Sequence, residues 1–157
     1  MGDSIVIEFE STIQIEQPVA DVFSFVANQE NNPKWNYFVT NVIKSSAGPV
    51  GVRTTYHQTR KTDAQDLRVV AFEPDQSITV ETIPPSSPEF KRTMVFRDEN
   101  GSTTLVDYWK LDTGHPGFLQ RLAGGRVKSA VRENLTKLKE LLESGSTMLQ
   151  DGRRITL

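Results

Sequence analysis

The chain has 157 residues, 36% of them hydrophobic and 24% charged, with a formal net charge of -2. That is the composition of a soluble globular protein of one domain, able to bury about 68–70% of its unfolded surface, with no bulk attraction to nucleic acid. The absence of cysteine excludes disulfides, thiolate catalysis and Cys-ligated zinc.

Residues 5 to 16 alternate, with Ile5, Ile7, Phe9, Ile13 and Ile15 on one face and Glu8, Glu10, Thr12, Gln14 and Glu16 on the other, which predicts a long half-buried strand. Pro18 is placed to open a short helix whose Val19, Val22, Phe23 and Val26 share one side. Asn32 and Pro33 read as the cap and first position of a second short helix holding Trp35 and Tyr37. Six strand-like runs follow: 39–46, 52–60, 65–72, 77–83, 90–97 and 103–112. Gly48-Pro49 with Gly51, Pro74-Asp75, the Pro84, Pro85 and Pro88 loop, and Asn100-Gly101 separate them, and such short turns imply antiparallel neighbours.

The stretch 116–144 carries Phe118, Leu119, Leu122, Val127, Ala130, Val131, Leu135, Leu138, Leu141 and Leu142 at steps of three and four. It is predicted as one amphipathic helix about 40 Å long, opened by Pro116 and stopped by Gly145. Its basic residues Arg121, Arg126, Lys128, Arg132, Lys137 and Lys139 read as a solvated face, with an anionic membrane or RNA surface as the alternative. Gly124-Gly125 interrupts the helix, for which a kink, close packing on the sheet, or room for a ligand are all open. The division expected is a domain over 1–145 and a mobile polar tail over 146–157. No apolar run is long enough to span a bilayer, so no integral membrane contact is expected, and residues 1–8 show no export signal, so a cytoplasmic location is expected.

One strand, two short helices, six further strands and a long C-terminal helix make an α+β architecture. In that order the sequence resembles the START-like (SRPBCC) superfamily, and within it the polyketide cyclase/dehydrase and lipid-transport group. The resemblance is carried by Ile13-Gln-Ile15 leading into Pro18-Val-Ala-Asp-Val-Phe23, Trp35 after Asn32-Pro33, Gly48-Pro-Val-Gly51 before Thr54, Phe72-Glu-Pro74, and the terminal helix. Arg53 stands where the group's usual second glycine would be. The resemblance implies a helix-grip fold, a curved antiparallel sheet of about seven strands around the C-terminal helix, enclosing a hydrophobic pocket. It implies no universal catalytic residue.

The Asn-Gly turn sets a register on its own account. If Glu99 faces Ser102 in a two-residue hairpin, Phe96 faces Leu105, Met94 faces Asp107, Arg92 faces Trp109 and Phe90 faces Leu111. Arg92 and Asp107 then fall as diagonal neighbours on the otherwise apolar covered face, either as a structural ion pair or as a polar handle for a ligand. With Trp35, Tyr56, Met94, Phe96, Trp109, Phe118 and Leu122 they are the candidate ligand-binding residues, the pocket reading of the aromatic and apolar members resting on the resemblance and packed core being the alternative. His57 is expected to turn outward and His115 to cap the last helix; two such distant histidines make no metal site. Phosphate-binding glycine loops, a nucleophile elbow and H-E-x-x-H are absent, and no cofactor is expected. The function expected is binding of a small hydrophobic molecule (lipid, polyketide-like or aromatic) as carrier or sensor. A cyclase/dehydratase-like enzyme using Arg92, Asp107 or Tyr56, and a protein-interaction module, are the alternatives, with monomer and homodimer both open.

Overall fold

A computed structural model describes residues 6–157; Ile5 of the expected first strand lies outside them. β1 (Ile7–Ile15) leads into helix α1 (Val19–Ala27) and a 3-10 helix (Gln29–Lys34), followed by β2 (Val39–Lys44), β3 (Thr55–Arg60), β4 (Ala64–Glu73), β5 (Ser77–Thr82), β6 (Glu89–Glu99) and β7 (Ser102–Asp112). The long helix α2 (Gly117–Ser144) and a hairpin of β8 (Ser146–Met148) and β9 (Arg154–Thr156) complete the chain.

Strands β1 to β7 form one antiparallel sheet in the order β1-β7-β6-β5-β4-β3-β2. The two short helices carry the chain from one edge strand to the other. α1 lies against β6 and β7, and α2 runs along β1. The α+β helix-grip expectation therefore holds, and the core sits between the inner face of the sheet and these helices. Its fully buried members include Ile15, Trp35, Tyr56, Leu67, Ile78, Leu105, Leu135, Leu138 and Leu141.

Local chemistry explains the element ends. Pro18 precedes α1, and Val22, Phe23, Val26 and Ala27 form its buried side. The 3-10 helix begins earlier than expected: Asn28 accepts from the Glu30 N–H and caps it, while Asn32 is buried within it and Trp35 follows its end. α2 ends at Gly145, whose φ of 84° allows its N–H to reach the Leu141 carbonyl. His115 supplies no cap, because among the described residues no side chain caps α2, and Pro116 occupies the capping position. Arg53, in place of the glycine expected there, has a φ of 77°, a left-handed conformation costly for any side chain.

Two features of the C-terminal third differ from the sequence reading. The apolar stripe of α2 does not run its full length. Val131, Leu135, Leu138 and Leu141 face the core, but in the first turns the inward positions are Gln120 and Gly124. Phe118, Leu119 and Leu122 lie on the outer side, exposed by 76%, 40% and 57%. The three-and-four spacing expected of the stripe fails at one point, the step of five from Leu122 to Val127, and the phase is lost there. Gly124 answers the glycine question by close packing: a Cβ there would stand 2.5 Å from Ile7 Cδ1 of β1, so α2 approaches the sheet edge at that point.

The second difference is the segment 146–157. Instead of a mobile tail, it folds back as the β8–β9 hairpin with Thr147 and Leu149 buried. Thr147 Oγ1 donates to Glu140 at 2.6 Å, Gln150 Nε2 to Asn134 Oδ1 at 3.3 Å and Lys61 Nζ to Asp151 at 3.1 Å.

Candidate ligand-binding site

The β6–β7 hairpin carries the centre of the site. Asn100 and Gly101 have φ values of 55° and 94°, as a two-residue hairpin of the expected type requires. Glu99 pairs with Ser102, Met94 with Asp107, Arg92 with Trp109 and Phe90 with Leu111, the register read from the sequence. The covered face therefore receives both Arg92 and Asp107. Arg92 Nε donates to Asp107 Oδ1 at 2.9 Å and Nη2 to Oδ2 at 2.6 Å, a two-pronged, charge-assisted pair. The Asp107 side chain is wholly buried and that of Arg92 is 11% exposed.

Two indoles hold the guanidinium from its other sides. Arg92 Cζ lies 4.7 Å from the Trp109 ring centroid and 5.3 Å from that of Trp35, within the range of cation–π attraction. Trp109 is in turn packed between Phe9, at 5.9 Å and nearly parallel, and Phe90, at 5.0 Å. The carboxylate engages only two of the five guanidinium N–H groups, so Arg92 is fixed in place yet keeps donors to spare.

Arg92 and Trp109 belong to the wall of a cavity of about 560 Å³ between the sheet and the middle of α2. The helix contributes Arg126, Val127, Ala130, Val131 and Asn134; Leu67, Val80, Phe90 and Leu111 add apolar sheet surface. The rest of the wall is unexpectedly rich in amides: Gln29, Asn32, Gln58 and Gln65 all line it and all are buried. They orient one another. Gln58 Nε2 donates to Gln65 Oε1 at 3.1 Å, Gln65 Nε2 to the Pro88 carbonyl at 3.1 Å, and Asn32 Nδ2 to Gln29 Oε1 at 3.0 Å. A buried network of this kind is rigid, and each amide retains some donor or acceptor capacity for a guest.

Of the nine residues singled out in the sequence, the structure brings Arg92 and Trp109 to the cavity wall, with Asp107 and Trp35 directly behind Arg92. Tyr56, Met94 and Phe96 are packed in the core. Burial pushes the Tyr56 phenol up to about 12, with the Gln29 main chain acting against that rise and the Glu30 carboxylate adding to it; at neutral pH it is therefore an uncharged phenol away from the cavity wall. Phe118 and Leu122, expected among the pocket-lining residues or in the core, stand on the outer side of α2 for the phase reason given above. His57 does turn outward, and its Nδ1 lies 2.8 Å from Asp66 on the exposed face. The amides were missed although a signal existed: the parity that turns His57 out turns its neighbour Gln58 in, and Gln65, opposite Gln58, goes with it.

A second concavity, also of about 560 Å³, lies among Glu8, Glu10, Lys91, Thr93, Tyr108 and Lys110 on the outer face of the sheet. Phe9 and Trp109 also line it, but Glu8, Glu10, Lys91 and Lys110 put four charged side chains in its wall and none of its described lining residues comes from a helix, so the chamber under α2 is the better candidate. Among the described residues no group of three or more His, Asp or Glu side chains is placed to hold a metal ion, and no helix is long and apolar enough to cross a membrane.

The arrangement defines a helix-grip protein with a partly polar chamber beneath its long helix. The chain belongs to the polyketide cyclase / dehydrase and lipid transport family, whose family model matches residues 6–143. Among solved structures it is similar in fold to the di-domain ARO/CYC BexL from the BE-7585A biosynthetic pathway, with 16% identity and a TM-score of 0.72 over 87% of this chain. The chain spans 46% of the length of that protein. It is also similar to DR_A0006 from Deinococcus radiodurans, with 14% identity and a TM-score of 0.65 over 88% of this chain and 99% of that one. No curated protein matches the sequence.

Proposed function

We propose that the chain binds a small, largely apolar molecule in the chamber under α2, as a carrier or sensor, with Arg92 as the polar anchor for a ligand oxygen. The observation that carries this reading is the chamber itself: about 560 Å³, inside the range of roughly 300–1,000 Å³ typical of ligand pockets. An apolar wall supplies the driving force for binding, and the buried amides and Arg92 supply orientation. The family description favours a second reading, a cyclase- or dehydratase-like reaction in the same space. Its difficulty is the wall chemistry. None of the described residues lining the chamber is Asp, Glu, His or Lys, and Asp107 lies behind Arg92 with its two oxygens engaged. Tyr37 is the one phenol among those described residues. Such a wall supports holding a molecule better than moving its protons.

The test combines native mass spectrometry of protein purified from its own host with titration of a neutral apolar dye, N-phenyl-1-naphthylamine. Ala130→Phe puts a ring into the chamber from the helix side. The expected result is a retained apolar molecule, and dye binding weakened at least about tenfold by Ala130→Phe, equivalent to ~1.4 kcal/mol. Dye bound equally well by the filled variant would overturn the proposal.

A further inference from the structure

The first turns of α2 present an outer face that the chamber does not use. Phe118, Leu122, Gly125 and Ser129 follow one another at steps of three and four, so they form one strip along the exposed side of the helix. Phe118 is 76% and Leu122 57% exposed, with Leu119 beside them. Arg121, Lys128 and Arg132 flank the strip on one side and Arg126 on the other. From residue 113 to residue 132 there is no Asp or Glu, although the whole chain has a net charge of -2. Among the described residues none of these four cations forms a salt bridge; the ion pairs of α2 lie further on, at Lys137 and Lys139. Arg126 and Ala130 belong both to the chamber wall and to the shallow groove on this outer face.

We propose that this strip docks the protein on an anionic lipid bilayer, with Phe118 and Leu122 entering the interface and the flanking cations contacting lipid headgroups. An apolar strip with long basic side chains on both flanks is the pattern of a helix lying in a membrane surface, where the cations add electrostatic attraction to the apolar burial. A second copy of the chain fits the strip less well, because a two-fold pairing of this face brings the same unpaired cations together. The strip abuts the chamber, so docking would put its wall at Arg126 and Ala130 next to the lipid. That purpose rests on the carrier reading; the docking itself does not.

The test uses the full chain in co-sedimentation with vesicles of phosphatidylcholine alone and of phosphatidylcholine containing about 30% phosphatidylserine. Binding is expected to the anionic vesicles, to weaken as salt is raised, and to be at least about tenfold weaker on the neutral ones. Phe118→Ser with Leu122→Ser is expected to lower the affinity by about tenfold or more, and Arg121→Gln with Lys128→Gln by about fivefold per charge. Both variants change exposed side chains only and should bind the neutral dye as the parent does. Absence of binding to anionic vesicles, equal binding to both vesicle types, or undiminished binding by the Ser variant would overturn the inference, as would a concentration-dependent dimer that the Ser variant abolishes in place of vesicle binding. Loss of docking with dye binding intact refutes this inference alone. Docking without dye binding refutes the carrier reading alone.

Discussion

Replacing Arg92 with Met tests whether the pair at the chamber wall is as deeply embedded as its geometry implies. The substitution removes hydrogen bonds of 2.9 and 2.6 Å and leaves Asp107 fully buried. Stripping a buried charge of its partner costs about 3–5 kcal/mol. The lost contacts with Trp35 and Trp109 add to this, while the Met stem keeps part of the arginine packing, so a loss of about 3–5 kcal/mol is expected for the variant. Asp107→Leu should cost towards the lower end, because the stranded guanidinium still borders the chamber and keeps its two indoles. Urea unfolding followed by tryptophan fluorescence is the assay. The chain has two tryptophans, both against Arg92, so the signal originates at the site. With a urea slope of about 2 kcal/mol per molar, the Met variant's midpoint should fall by about 2 M. Arg92→Met combined with Asp107→Leu should recover most of that loss, since a buried pair replaced as a unit by apolar groups is often neutral. If Arg92 also anchors the ligand, the recovered double variant will fold yet retain no host-derived molecule. A single-variant loss below about 1 kcal/mol is the behaviour of an exposed pair and would refute the reasoning.

Arg53→Gly should stabilise the protein. A left-handed L-residue costs about 1–2 kcal/mol, and the added freedom of the unfolded glycine chain returns about 0.5–1 kcal/mol of that, so the urea midpoint should rise slightly; a fall would mean that the Arg53 side chain contributes more than its backbone strain costs. The C-terminal hairpin should loosen in acid. Burial acts to raise the Asp151 pKa, but the Arg153 N–H and the Lys61 and Arg153 side chains outweigh it and hold the carboxyl at about 2 against an ordinary 3.8. A folded pKa below the unfolded one means that this stabilisation is present above pH 3.8 and is lost as pH falls towards about 2. Asp151→Asn should flatten that part of the stability profile measured by urea unfolding, and an unchanged acid slope would contradict the assignment.

Much of this protein was legible in its sequence because the signals were local. Strict alternation in β1, the Pro18 entry to α1, the Gly145 stop and above all the Asn100-Gly101 turn depend on a few neighbouring residues, and the turn alone sets the pairing that brings Arg92 and Asp107 to one face. What only the tertiary structure decided depends on distance in space. Whether an apolar residue on α2 meets the sheet or water is set by where the helix axis passes β1, and the closest approach at Gly124 turns Gln120 inward and Phe118 and Leu122 outward against their hydropathy. The C-terminal segment has no periodic pattern of its own; it is held by partners distant in sequence, Glu140 and Asn134 of α2 for Thr147 and Gln150 and Lys61 for Asp151, with Leu149 buried. The amides of the chamber wall are the same case. Strand parity turns Gln58 inward, but what it bonds to there is a property of the folded sheet, in which Gln65 on the next strand satisfies it.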